Sequence, residues 1–121
     1  MTSGSSEAWD GDRVRTWLER RLTAARLDQA AADRQGYAAR DDYDKAAAEE
    51  WVYRALQAGG HADGQSAFAG HVKALLDQDV YRATGVHDDL RFERHVRGVL
   101  RKLAKMTKTN DGFGNTLRYQ G

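Results

Sequence analysis

DDLRFERHVRGVLRKLAKMTKTNDGFGNTLRYQG, residues 88–121, joins a strongly patterned segment to a glycine-centred one. Its first twenty residues repeat with a helical period. Placed 100° apart, Phe92, Val96, Val99, Leu100, Leu103 and Met106 share one face. Arg94, Arg97, Arg101, Lys105 and Lys108 fall on the opposite face, with Arg91 and Lys102 beside them. Seven Lys or Arg stand between positions 91 and 108, against a single acid, Glu93. A helix that needs only solubility mixes both signs and gains from i,i+4 pairs. This one gathers positive charge on one stripe, as a helix facing phosphate would.

After Ala104 the period changes. Asn110-Asp111-Gly112-Phe113-Gly114-Asn115 holds an Asp-Gly pair, a strong hairpin signal because its turn needs positive φ. Thr116-Leu117-Arg118-Tyr119 then alternates, with Leu117 and Tyr119 on one side and Arg118 on the other. The pattern predicts a short two-stranded ribbon leaning on the preceding helix, since an isolated hairpin is marginal in water.

Three further helices precede this one. The first is expected over 12–34, with Val14, Trp17, Leu18, Leu22, Ala25 and Ala32 at helical spacing. The second is expected over 42–58, with Tyr43, Ala47, Trp51, Ala55 and Ala58 along one stripe, widened by Val52 and Leu56. Gly59-Gly60 closes it, because glycine readily takes the left-handed conformation at a helix end. The third starts near Ser66, carries Phe68, Val72, Leu75, Leu76 and Val80, and stops near Gly85. Asp88 or Asp89 opens the fourth, a carboxylate suiting the positive end of a helix. The expected fold is therefore mainly α: four helices and a short C-terminal β-hairpin. Residues 1–8 read as a disordered N-terminus, 9–60 as a helical hairpin and 61–121 as the part that meets nucleic acid.

Composition bounds the rest. The 121 residues make one domain, with 40% hydrophobic and 31% charged residues. The absence of Cys excludes a disulfide framework, a thiolate nucleophile and a Cys-based zinc site. No apolar run approaches the ~18 residues of a transmembrane helix. The Ser- and Gly-rich start lacks the apolar segment of a signal peptide, so a cytoplasmic protein is expected. Net charge is only +1, but it is uneven. Residues 1–60 carry 9 basic against 11 acidic side chains, whereas residues 61–121 carry 10 against 7. A local basic patch steers a polyanion more than the overall balance does.

Other constellations carry less. His61, His71, His87 and His95 lack the i,i+4 spacing of a helical zinc motif. Asp41-Asp42 with Asp44, and Glu49-Glu50, lack the spacing of a calcium loop and read as helix-start charge and solvent face. No serine elbow or phosphate loop is present. The expectation is a protein without catalytic residues, metal or cofactor. The first two helices carry alanine runs at 30–32 and 46–48, and small residues let helices approach closely. With Trp9, Trp17 and Trp51 added, the pair reads either as scaffold or as a homodimer interface built on Trp17 and Trp51.

Val96-Arg97-Gly98-Val99-Leu100-Arg101-Lys102-Leu103, followed by a glycine-containing hairpin ending Leu117-Arg118-Tyr119, resembles the winged helix-turn-helix of bacterial DNA-binding proteins. In that family a recognition helix of the form V-R-x-x-L-x-x-L lies in the major groove and a β-wing follows it. The resemblance covers residues 66–121 and implies a wing over 108–118. It implies double-stranded DNA as partner, with RNA left open, and a role as transcriptional regulator or phage accessory factor. Arg94, Arg97 and Arg101 would then face the groove, because the planar guanidinium fork pairs with guanine O6 and N7, and Arg91 would join them in binding DNA. Lys102, Lys105 and Lys108 would meet the phosphates, and Asn115 and Arg118 would reach DNA from the wing. The competing expectation is a helical adaptor whose basic face docks on an acidic protein.

Overall fold

Alternation of apolar and charged positions at helical spacing, with no proline anywhere in the chain, builds the molecule from helices. The computed structural model describes residues 11–59 and 64–108. Helix α1 spans Gly11–Gln35, α2 Arg40–Gln57, α3 Gln65–Leu76 and α4 Asp89–Lys108. A 3-10 turn, Tyr37–Ala39, joins α1 to α2. Gly36 makes this junction possible, since its φ of 84° lies where side chains other than glycine are strained.

Helix α1 buries Val14, Trp17, Leu18, Leu22, Ala25 and Ala32, the set its spacing predicts. It lies antiparallel to α2. Arg26 and Gln29 near its end reach Glu50 at 3.1 and 2.6 Å, while Trp17 near its start meets Tyr53 edge-on at 5.8 Å. Ala46, Ala47 and Ala48 are buried and keep the two backbones close.

The phase of α2 differs from the expected one. Asp44, Ala48, Val52 and Leu56, each four residues on from the last, are fully buried. Tyr43, Trp51 and Ala55 pack against the edge of this stripe. The inward face is turned about one residue from the stripe that the aromatic side chains mark.

Helix α3 stops at Leu76, short of the expected end near Gly85. The chain turns back at Tyr81, whose hydroxyl donates to the carbonyl of Leu75 and whose ring is buried edge-on against Trp51 at 5.4 Å. A side chain thus takes the acceptor that a further helical turn would have used. Val80, expected on the apolar stripe, is 53% exposed.

Helices α3 and α4 are antiparallel: Gln65 donates to the carbonyl of Thr107 at 2.6 Å, and Arg97 to that of Leu76 at 3.3 Å. Helix α4 runs in the same direction as α2, Asp44 meeting Arg91 at their starts and Tyr53 and Leu103 lining one groove further on. One buried cluster takes side chains from all four helices and from Tyr81. Phe92, Val96, Leu100 and Leu103 contribute from α4, each worth roughly 1.5–3 kcal/mol of burial.

The winged-helix expectation needs correction. The described residues form no strand, and α4 continues through Lys108, where the wing was expected to begin. Thr107 is the reason. Its side chain is buried, its hydroxyl donates to the Ala104 carbonyl at 2.9 Å, and its own carbonyl is held by Gln65. These bonds keep the last turn helical. The rest of the expected hairpin, with Asn115 and Arg118, lies outside the described residues.

Candidate nucleic-acid interface

Helix α4 begins with an elaborate cap. The Asp88 carboxylate accepts from the backbone N–H of Arg91 at 3.0 Å, the usual N-cap bond. That bond, with the charge of the Arg91 guanidinium, holds the Asp88 carboxyl below its usual range. A second carboxylate arrives from α2: Asp44 accepts from the backbone N–H groups of His87 and Asp88 at 2.8 and 3.1 Å. Both sit at the positive end of the helix dipole.

Asp44 also binds Arg91, through Nη2 at 2.8 Å and Nε at 3.2 Å. Arg91 Nη1 lies 2.9 Å from Asp41 and 3.8 Å from Asp88. Asp44, read from sequence as charge at the start of its own helix, is therefore an internal cap for another. Its four-residue spacing from Ala48, Val52 and Leu56 is the signal that could have placed it on the buried stripe.

Arg97 is likewise held within the fold. Its terminal nitrogens donate to the carbonyls of Leu76 and Gln78 at 3.3 and 3.1 Å. Its Nε lies 3.4 Å from Glu93, and its guanidinium sits 4.9 Å above the Tyr81 ring. A cation at the carbonyl end of α3 is favoured by that helix's dipole.

Of the cations predicted to meet DNA, Arg94, Arg101, Lys102 and Lys105 remain exposed on the outward face of α4. Gly98 lies in the middle of that face, and a methyl added there would have nothing within 4 Å. Leu90, 72% exposed, begins the same stripe. From Arg94 to Lys105 the stripe is about 16 Å long at 1.5 Å per residue. Lys108 belongs to the same helix. The structure brings these four cations together and draws Arg91 and Arg97 away from them. No described helix is long and apolar enough to cross a membrane.

No protein-family model, curated protein or solved structure matches this chain. The site is therefore read from its own chemistry.

The remaining sequence candidates take ordinary places. Trp17 is 5% exposed and packed on Tyr53, while Trp51 is half-buried against Tyr81. The apolar surfaces of Trp17 and Trp51 are thus largely covered within the chain, and Trp9 lies outside the described residues. His87 stands edge-on to Tyr37 and Tyr43 at 6.1 and 5.3 Å, and His71 rests against Gly59.

Proposed function

We propose that the protein binds DNA through the outward face of α4, with Arg94, Arg101, Lys102 and Lys105 neutralising phosphates. The observation that carries this reading is the exposed row itself. Four cations stand along about three turns of one helix with no acid between Arg94 and Lys105, and Glu93, just before them, is turned to Arg97. Gly98 supports it further, because a helix without a side chain at its centre admits close approach of a backbone. Phosphate contacts position a protein without reading sequence, so this face supplies affinity first. On this reading the protein is a binding module, and a regulatory or accessory role at DNA follows from its ligand.

Salt dependence tests it. With up to four phosphates neutralised, log affinity should fall against log salt with a slope of roughly −3.6, at −0.9 per phosphate for duplex DNA. Arg101→Glu should weaken binding and flatten the slope. A slope near zero, or binding indifferent to Arg101→Glu, overturns the proposal.

A further inference from the structure

Beside the basic stripe, where α1, α2 and α4 converge, lies a groove of about 300 Å³. Trp17, Tyr53 and Met106 wall it, and Arg21, Glu49 and Lys102 stand among its lining residues. Trp17 and Tyr53 are buried and form its floor, whereas Arg21, Glu49 and Met106 are half-buried and Lys102 is exposed. We propose that this groove takes one unpaired nucleobase of a strand whose phosphates lie along α4. The inference rests on the nucleic-acid reading above and adds the form of nucleic acid preferred.

Three observations carry it. Lys102 belongs both to the stripe and to the groove, so a backbone lying on the stripe passes the groove's mouth. The volume, at the small end for ligand sites, suits one planar ring system. The polar chemistry suits a base edge, which sets acceptors beside donors. Arg21 stacks 5.9 and 5.8 Å from the Trp17 and Tyr53 ring centres. Among the described residues Arg21 has no ion pair, and its buried Nε has no hydrogen-bond partner. Glu49 has no ion pair there either. A guanidinium and a carboxylate, neither committed to the other, match the carbonyl and amino groups that a base presents together. A base still paired and stacked in a duplex cannot enter, whereas a base in a single strand is free to do so.

The test measures binding of the full chain to a short single strand, to a duplex of the same sequence, and to the single strand with abasic sites. The single strand is expected to bind about tenfold more tightly than the duplex, the contribution of one base stacked on the Arg21 guanidinium that overlies the two buried rings. The abasic strand should lose that tenfold. Val99→Phe, which fills the groove from α4, should lose it too while leaving duplex affinity unchanged. Should Val99→Phe fail to fold, the abasic strand decides the matter on the unaltered protein. A single strand no tighter than the duplex, or an abasic strand equally tight, overturns the base-binding groove and leaves the phosphate stripe standing. Failure of every nucleic acid to bind overturns both.

Discussion

The carboxylate of Asp44, fully buried in α2, grips the guanidinium of Arg91 in α4 across 47 positions of chain. It also closes two backbone N–H groups at the start of α4. One side chain thereby sets both where the basic helix begins and how it is rotated.

Asp44→Ala should cost about 1–3 kcal/mol, the penalty for donors left without their acceptor, because it strips two backbone N–H groups of their partner while Arg91 keeps Asp41. Asp44→Asn keeps an acceptor and should cost less. Urea denaturation of both variants measures the difference, and near-wild-type stability for Asp44→Ala would sink the assignment.

Within α4, folding and binding should separate by face. Leu100→Ala and Leu103→Ala should each cost about 2–5 kcal/mol, because both side chains are buried. Arg94→Ala and Arg101→Ala should leave stability within about 0.5 kcal/mol while weakening DNA binding. Thermal melts paired with binding isotherms check both halves. Stable Leu variants beside unfolded Arg variants would reverse the orientation of the helix.

Stability should respond to pH at two residues. Burial raises the Glu50 carboxyl, but hydrogen bonds from Gln29 and Arg26 and the charge of Arg54 outweigh it and hold it below 4.5. A depressed carboxyl stabilises fully above its ordinary value, and that contribution is lost as pH falls through the folded value. Burial first of all raises the Tyr81 hydroxyl above 10.0. Its contribution is present below pH 10 and is lost as pH rises through the folded value. Denaturant midpoints across pH should show Glu50→Gln flattening the acid limb and Tyr81→Phe the alkaline limb.

Two glycines should answer alanine oppositely. A methyl at Gly59 would lie 1.9 Å from His71 Nδ1, so the ring must move and about 1–3 kcal/mol should be lost. At Gly98 the space is open, and removing glycine from a helix interior should add up to about 1 kcal/mol. Melting temperatures that shift in the same direction for both would contradict this packing.

Spacing made the apolar faces of α1 and α4 legible, because in each nearly all the large apolar side chains lie on the buried face, Leu27 and Leu90 being the exposed exceptions. Alanine blurred α2: with small residues on several sides, the aromatic Tyr43 and Trp51 marked a false centre, and Asp44 was hidden on the true one. The end of α3 depended on Tyr81 and Arg97 reaching back to its carbonyls, which no local pattern displays. The same holds for the basic stripe. Seven cations could be counted between positions 91 and 108, but which two belong to the fold is set by Asp44 and by Leu76 and Gln78, all far away in sequence. The ribbon was misjudged at its start because Thr107, polar in sequence, is buried and held by Gln65.

The common direction of α2 and α4 has a consequence for how the molecule comes together. Antiparallel α1 and α2 need only a few residues to join them, whereas two parallel neighbours require the chain to travel back the length of the bundle. Here α3 and residues 77–88 make that return. Closing so long an excursion has an entropic cost before any α2–α4 contact repays it, and such distant pairings slow folding. The first two helices can therefore pair early and locally. The charged ridge exists as a surface only once the last helix has docked, so an incomplete chain would offer a polyanion no organised place to land.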